Sequence, residues 1–280
     1  MRMQYSVLAL VAGILFSVSA AAQSIMSDDF STGDVSKSVN GFTWAGGDSS
    51  NDPSSATYVA ETVTRDGELR DALHFDYKAG SRWAEKRFDI GKPHPELWVR
   101  YWIKVPDNFE HSSGSPNNNK FFALWMDDYS AKGDGPTVFW NYWRSDSGSN
   151  LTVSYSHGQN RVSGANMQST PFINTPEDRG RWMEVVLRVK AASSRSSNDG
   201  IIETHRRWEN EASFTKIHEV RDANIAIPPG GPNGWQRGYI MGYANAPYSE
   251  DTVWVVDEIE FSNSSLLNTG HRPKPPRARS

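Results

Sequence analysis

The stretch that decides the fold is KFFALWMDDYSAKGDGPTVFWNYWRSDSGSNLTVSYSH, residues 120–157. It is cut twice by turn chemistry, at Asp134-Gly135-Pro136 and at Asp146-Ser147-Gly148, because Gly accepts a positive φ and Pro cannot continue a β-ladder. The pieces between the turns are short and rich in aromatic and β-branched residues, which predicts strands. The three predicted strands are Lys120–Met126, Thr137–Arg144 and Leu151–His157.

Aromatic and polar side chains are mixed on both faces of these predicted strands. Because side chains alternate across a strand, Tyr155 and His157 share a face with Val153, and Trp140 shares a face with Tyr142. A strand face that combines aromatic rings with polar groups is better suited to line a hydrated groove than to face bulk solvent. Sugars bind in such grooves, since their C–H faces stack on rings while their hydroxyls meet fixed polar groups.

The rest of the chain continues the strand pattern. Glu96–Val105 is the clearest case, with Leu97, Val99, Tyr101, Ile103 and Val105 on an apolar face. No long window keeps a helical apolar stripe, and residues 167–180 are predicted to form a loop. We therefore predict an all-β fold, a two-sheet antiparallel β-sandwich of the jelly-roll type. Further strands are predicted at Ala72–Tyr77, Trp83–Ile90, Trp182–Lys190, Gly200–Trp208, Phe214–Val220, Tyr239–Tyr243 and Thr252–Phe261.

Composition limits the function classes. The chain has 280 residues, of which 37% are hydrophobic, enough for a single core. A net charge of −4 argues against nucleic acid as a partner, whereas a local basic patch could still bind an acidic polysaccharide. Cysteine is absent, which excludes thiol nucleophiles and zinc–thiolate sites. We expect a monomer.

The two ends of the chain are predicted to lie outside the folded domain. Arg2, the apolar run Val7–Val18 and Ala20-Ala21-Ala22 have the features of a secretory signal peptide, residues 1–22, cleaved before Gln23. A membrane anchor is the alternative, but the apolar run is short for a span. The domain is predicted at 23–265, followed by a disordered basic tail at 266–280. We expect a secreted or periplasmic protein with no membrane partner.

Three motifs resemble the concanavalin A-like jelly roll of legume-type lectins, laminarinase-like glucanases and several polysaccharide lyase families. They are the opening DDFSTGD, the pair ELWVRYWIKVP and NNKFFALW, and the ending GYIMGYANAPYSEDTVWVVDEIEFS, preceded by the hairpin DGIIETHRRWENE. The resemblance covers most of residues 27–262 and implies the fold more strongly than an activity.

Several motifs of these families are missing from the sequence, which narrows the range of activities to consider. The Glu-x-Asp-x-x-Glu strand of laminarinase-like hydrolases is absent, and so are the Gln-(Ile/Val)-His and Arg-(Ser/Thr)-Glu-Leu motifs of the common alginate lyases. If the protein is an enzyme, lyase chemistry of a less familiar type is favoured over hydrolysis by paired carboxylates.

Four residues are candidates for that chemistry. β-Elimination at a uronic acid requires neutralisation of the carboxylate, a base for the C5 proton and an acid for the leaving oxygen. Tyr155 and His157 are predicted to transfer the protons, and Arg100 and Lys120 to hold the carboxylate. The alternative for Tyr155 and His157 is a half-buried strand end without chemistry.

Other residues are candidates for binding sugar or metal. The predicted sugar-binding residues are Trp102, Trp125, Trp140, Tyr142 and Arg82. For each tryptophan the alternative is the sandwich core, and for Arg82 it is a surface ion-pair network. A structural Ca²⁺, as oxygen-rich sites in this fold often hold, is predicted where the first and last strands meet. Its predicted ligands are Asp28, Asp29 and Asp257.

The sequence therefore favours a secreted polysaccharide lyase that cleaves a uronate-containing glycan by β-elimination. A non-catalytic carbohydrate-binding module is the first alternative. A structural or surface-interaction protein on the same fold is the second.

Overall fold

The computed structural model describes residues 24–34, 44, 55–126, 136–157, 160–161, 168–225 and 234–268. These residues form fifteen β-strands and no helix, as the alternating patterns predicted. In this part of the chain no helix is long and apolar enough to cross a membrane. The predicted signal peptide and residues 269–280 of the predicted tail lie outside the described residues.

The first eight strands are β1 (Ser24–Asp28), β2 (Ser55–Val63), β3 (Leu69–Tyr77), β4 (Trp83–His94), β5 (Glu96–Lys104), β6 (Asn118–Trp125), β7 (Thr137–Ser145) and β8 (Gly148–His157). The others are β9 (Asn160–Arg161), β10 (Gln168–Asn174), β11 (Trp182–Lys190), β12 (Gly200–Trp208), β13 (Thr215–Ala223), β14 (Trp235–Tyr243) and β15 (Thr252–Ser262). Consecutive strands mostly belong to the same sheet: β1 to β3 and β11 to β13 lie in one sheet, and β6 to β10 in the other.

Two antiparallel sheets pack face to face. The eight-stranded sheet has the order β13-β12-β11-β5-β15-β3-β2, with β1 also paired to β15. The seven-stranded sheet has the order β10-β8-β7-β6-β14-β4, with β9 paired to β8. The predicted two-sheet jelly-roll sandwich is thereby confirmed.

Most predicted strands are present, and one predicted loop is not. The three strands of the opening stretch are β6, β7 and β8, within a few residues of their predicted ends. Residues 167–180, predicted as a loop, contain β10. Its sequence QSTPFIN includes Pro171, which lacks an N–H and therefore hides the strand from pattern analysis. β10 lies at the edge of its sheet, where a proline is tolerated.

The core fills the space between the sheets. The predicted apolar face of β5 is buried in it, from Leu97 to Ile103. The indole N–H of Trp140 on β7 donates to Thr204 Oγ1 on β12 over 2.8 Å, which links the two sheets through their shared interior. Packing continues to Leu266, whose buried side chain lies with Trp98 on the outer face of the eight-stranded sheet. The predicted tail therefore begins with a packed residue.

Buried histidine gives the fold a dependence on pH. His218 on β13 is 2% exposed, and burial lowers its pKa from 6.5 to about 4. The unfolded chain takes up this proton as the pH falls below 6.5, whereas the folded chain does so only near pH 4. The stability that neutral His218 adds to the fold is therefore complete above pH 6.5 and is lost as the pH falls from 6.5 to about 4.

We expect acidification from about pH 7 to about pH 4 to remove about 3 kcal/mol of the free energy of unfolding through His218. Urea unfolding of the parent and of His218→Leu at both pH values measures this. The variant should lose less stability than the parent. Equal losses in the two proteins would contradict the assignment to His218.

Candidate functional site

The outer face of the seven-stranded sheet carries the candidate site. Phe121, Phe122 and Leu124 of β6 belong to the core, whereas Ala123 and Trp125 belong to a separate cluster on the opposite face. That cluster also contains Tyr239 of β14 and the partly buried Phe139 of β7. This outer face is therefore lined by rings on three adjacent strands.

Lys120 lies at the centre of this face. It is paired with Asn141 of β7, which is paired in turn with Thr152 of β8. The Lys120 ammonium is 5.3 Å from the ring centroid of Phe139, which places its side chain on the outer face. An ammonium, an amide and a hydroxyl therefore follow one another across three strands.

Two aromatic residues extend this row on the other side of Lys120. A bridge between Asn119 and Ala244 places Tyr243, the preceding residue of β14, beside Lys120. Tyr243 is paired with Trp83 of β4, and their ring centroids are 5.2 Å apart in an edge-on arrangement. We call the set Trp83, Tyr243, Lys120, Asn141 and Thr152 the central row. Its two rings are only partly buried, so they remain accessible to a ligand.

Gly242 allows the side chains around Lys120 to lie close to the backbone and to one another. A Cβ added to Gly242 would lie 3.1 Å from Tyr239 Cε2 and 3.2 Å from both Glu85 Oε2 and Lys120 Cβ. The three side chains therefore converge on one point of the backbone that only glycine leaves open.

Charge on this face is arranged in pairs around the central row. Glu85 accepts a 2.5 Å hydrogen bond from Arg87 Nε, and Asp89 accepts one of 2.8 Å from Arg237 Nε. Burial opposes ionisation of Asp89, but hydrogen bonds from Gln236, Gly91 and Arg237 lower its pKa, so it stays charged at neutral pH. These two arginines are thus engaged by carboxylates of the same face, and Lys120 is the cation of the central row.

The face also presents polar groups suited to sugar hydroxyls. Asn141 is 6% exposed, and its Oδ1 has no hydrogen-bond partner among the described residues. Such a buried acceptor is costly unless a ligand or water satisfies it. Hydroxyls continue the face beyond β7, with Thr152 donating to Ser169 over 3.1 Å.

Trp143 lies two residues along β7 from Asn141, on the same face. It is paired with Asn118 of β6 on one side and Asn150 of β8 on the other. Its ring is half-buried, and its indole N–H has no partner among the described residues. A ring between two amides is an arrangement on which a sugar can stack and hydrogen bond.

Three of the residues predicted from the sequence lie on this face: Lys120, Trp125 and Arg82. The Arg82 guanidinium donates to the Asn245 carbonyl over 2.8 Å and lies 5.9 Å from the Tyr243 ring centroid. Arg82 therefore borders the central row at its aromatic end.

Three others face the core instead. Trp140 and Tyr142 are fully buried; Trp140 bonds across the core, and the Tyr142 hydroxyl lies 2.5 Å from that of Tyr248. Tyr155 is 3% exposed within the same core, and burial, followed by the charge of Asp222, raises its pKa. The predicted groove roles of these three residues do not fit their positions, because a surface-bound polymer cannot reach them. His157 ends β8, and its side chain lies outside the described part of the chain.

Arg100 and Trp102 lie on the outer face of the other sheet. Arg100 Nη2 is 2.7 Å from Glu260, and Trp102 packs against Trp182 beneath Arg65, whose guanidinium carbon is 4.5 Å from the ring centroid. The core separates them from Lys120. Arg100 and Lys120 therefore cannot hold one carboxylate together, and that prediction is wrong. The prediction that Arg100 and Trp102 share the face of β5 opposite Leu97 is correct.

The predicted calcium ligands are engaged elsewhere. Asp28 accepts hydrogen bonds of 2.8 Å from the Phe30 N–H and from the indole of Trp44, a core residue. Asp257 pairs with Arg65 at 3.2 Å on the outer face of the eight-stranded sheet.

Asp29 accepts bonds from the backbone and hydroxyl of the exposed Ser31. Among the described residues no group of three or more acidic or histidine side chains could hold a metal ion. Asp28, Asp29 and Asp257 are therefore not gathered into one such group, and the Ca²⁺ site stays a prediction.

Sequence reasoning missed four residues that complete the face: Tyr239, Tyr243, Asn141 and Glu85. The signal was the pair of tyrosines four residues apart in GYIMGY, which share a face of β14. It was weak because the strand is irregular between them: Met241 has φ 58° and Gly242 has φ 130°.

Comparison with known proteins confirms the fold. No model of a known protein family matches the sequence, and no curated protein matches it at a significant level. A variant of the alginate lyase Aly36B in complex with an alginate tetrasaccharide aligns with a TM-score of 0.52 at 12% identity, covering 73% of this chain and 82% of that one. The alginate lyase vAL-1 from Chlorella virus aligns with a TM-score of 0.51 at 11% identity, covering 86% and 99%.

The Ca²⁺- and Man3GlcNAc-bound exoplasmic/lumenal domain of VIP36 aligns less closely, with a TM-score of 0.44 at 10% identity, covering 78% and 90%. At identities this low, similarity to the two lyases establishes the fold only. The chain has the concanavalin A-like jelly-roll fold, as the sequence resemblance implied.

Proposed function

We propose that this protein is an exported polysaccharide lyase that cleaves a uronate-containing glycan on the outer face of the seven-stranded sheet. The observation that carries the proposal is the central row, in which Tyr243, Lys120 and Asn141 occupy neighbouring strands. In β-elimination a phenol can transfer the protons, and an ammonium and an amide can neutralise the carboxylate. Rings and hydroxyls at its two ends suit the rest of a sugar chain.

Each group has one step in the proposed reaction. Lys120 pairs with the uronate carboxylate, and the Asn141 amide donates to it as negative charge builds up there. When the C5–H bond breaks, its electrons form the C4=C5 double bond and the C4–O bond breaks. In this proposal Tyr243 acts as a phenolate that accepts the C5 proton and, as the resulting phenol, donates that proton to the C4 leaving oxygen, so the side chain ends as it began.

The alignments add support of a limited kind. Both lyases that share the fold are named as alginate lyases. The Aly36B variant in complex with an alginate tetrasaccharide has a lysine and a tyrosine replaced by alanine. Those are the residue types at positions 120 and 243 here. The similarity lies in the fold and in the chemistry of the side chains, not in sequence.

A non-catalytic carbohydrate-binding protein is the second candidate. It is favoured by Trp143, a half-buried ring between Asn118 and Asn150, which suits the binding of a sugar. A binding protein needs the rings and the cation but no proton transfer. The two functions therefore predict the same binding face and different products.

Incubation of the purified protein with acidic polysaccharides, and with the same polymers after chemical reduction of their carboxyl groups, separates the two. The lyase forms unsaturated, ultraviolet-absorbing ends from the acidic polymers only, since the reduced polymers offer Lys120 no carboxylate. Binding of the acidic polymers without any such product would identify the binding protein and refute the lyase.

Trp143→Ala should weaken oligosaccharide binding by about 1 kcal/mol, the scale of one aromatic contact on a half-buried ring. Calorimetric titration with an acidic oligosaccharide measures this. Tyr58→Ala is the matched control, because Tyr58 is an exposed ring, 38% accessible, on the other sheet. Equal effects of the two substitutions would place the sugar elsewhere.

A further inference from the structure

A buried tyrosine of the opposite sheet contacts the backbone beneath the proposed site. Tyr77 belongs to β3 of the eight-stranded sheet and is fully buried. Its hydroxyl lies 2.6 Å from the Gly242 carbonyl oxygen and 2.9 Å from that of Ala84, and it accepts a bond of 3.2 Å from the Gly242 N–H. One side chain thus crosses the core and ties β14 to β4.

The contact falls where β14 is irregular. Met241 and Gly242 have φ values of 58° and 130°, so a non-glycine residue adopts the left-handed region next to a glycine. Such backbone is costly and persists only where its surroundings hold it in place. Gly242 and Ala84 are directly paired in the register, and both carbonyls reach the same hydroxyl. The single O–H proton of Tyr77 is shared between these two acceptors, so one side chain of the other sheet contacts both carbonyls.

The irregularity determines how the outer face is built. Met241 packs in the core, while Tyr239 and Tyr243 on either side of it both lie on the outer face. On that face the Gly242 backbone is enclosed by Glu85, Lys120 and Tyr239 at little more than 3 Å from an added Cβ. A shift of Gly242 would therefore move Tyr243 relative to Lys120.

We propose that Tyr77 is a positioning residue for the lyase reaction, in that its hydroxyl holds the Gly242 backbone and thereby fixes the spacing between Tyr243 and Lys120. The expected effect of Tyr77 on the reaction rate rests on the proposed function. Its expected effect on the position of Gly242 does not depend on that function. Burial raises the pKa of Tyr77 well above 10, so the hydroxyl is a permanent donor and does not itself exchange protons with the substrate.

The test compares Tyr77→Phe with Tyr101→Phe. Tyr101 is fully buried in the same core, and its hydroxyl has no hydrogen-bond partner among the described residues, so the control removes an oxygen without removing a bond. Tyr77→Phe should lower kcat about 10- to 100-fold with little change in KM, the usual result of a small misplacement of reacting groups. Tyr101→Phe should retain the parent kcat.

Nuclear magnetic resonance gives a second readout that does not need activity. With ¹⁵N-labelled glycine and ring-labelled tyrosine, Tyr77→Phe should shift the Gly242 amide and the Tyr243 ring signals, and Tyr101→Phe should leave both in place. If these signals do not move, the positioning role is overturned whatever the activity.

The kinetic outcomes separate this inference from the proposed function. If Lys120→Ala abolishes cleavage while Tyr77→Phe keeps the parent kcat, the lyase stands and the positioning role falls. If the parent cleaves nothing, the lyase falls, and the Gly242 and Tyr243 signals alone decide whether Tyr77 holds the backbone. An equal loss of kcat in Tyr77→Phe and Tyr101→Phe would reduce Tyr77 to general core packing and overturn the proposal.

Discussion

Lys120→Ala should lower kcat by about 10³-fold on an acidic polysaccharide. In the proposed reaction the ammonium faces the carboxylate both before and during proton removal. Removing a group that stabilises developing charge or transfers protons typically costs 10²- to 10⁴-fold. The loss should exceed any change in KM, because the interaction strengthens as negative charge moves onto the carboxylate. The rate of formation of unsaturated ends measures it.

Lys190→Ala is the control for this prediction. Lys190 is an exposed lysine at the end of β11, in the other sheet, so the substitution removes the same charge away from the central row. The control should cleave at the parent rate. If Lys120→Ala also cleaves at that rate, Lys120 has no part in the reaction.

Glu184→Ala should destabilise the protein by about 3–5 kcal/mol, since it removes one partner of a buried ion-pair network. Glu184 is fully buried on β11, 2.6 Å from Arg207 and 3.7 Å from Arg100. Both guanidinium groups are largely buried and would face each other without the carboxylate between them. Urea unfolding at neutral pH measures the change.

The matched control for Glu184 is an exposed ion pair. Glu110 is 80% accessible and lies 4.0 Å from Arg179, so Glu110→Ala should cost less than about 1 kcal/mol. If Glu184→Ala costs no more than Glu110→Ala, the Arg and Glu side chains on this face are only a solvated surface network. A large difference would show that the outer face of the eight-stranded sheet is structural, in contrast to the ring-lined face of the other sheet.

Strand positions and alternation could be read from the sequence because both depend on local chemistry. The alternating residues of β5 place Leu97 in the core and Arg100 outside it, as the structure shows. Alternation does not show which face of a strand is buried and which lies on the outside of the sandwich, however. On β8 the face that carries Tyr155 is the buried one, and the hydroxyl-bearing face of Thr152 is the outer one.

Which sheet a strand joins is decided by long-range pairing, and this is where the predicted site was wrong. Arg100 and Lys120 are both cations on aromatic-rich strands close in sequence. β5 joins the eight-stranded sheet and β6 the seven-stranded one, so the core separates them. Tyr243 reaches Lys120 through the pairing of β14 with β6, a contact between residues more than a hundred positions apart. No local pattern reports such a contact.

The most direct measurement of the central claim is a crystal structure of Tyr243→Phe with an acidic oligosaccharide. This variant keeps Lys120 and Asn141, the proposed carboxylate ligands, and lacks only the hydroxyl proposed to transfer the proton, so it should bind without rapid cleavage. We expect the sugar on the outer face of the seven-stranded sheet, with a carboxylate on Lys120 and Asn141 and a ring near Trp143. An oligosaccharide bound instead beside Arg100 and Trp102, on the other sheet, would contradict the account.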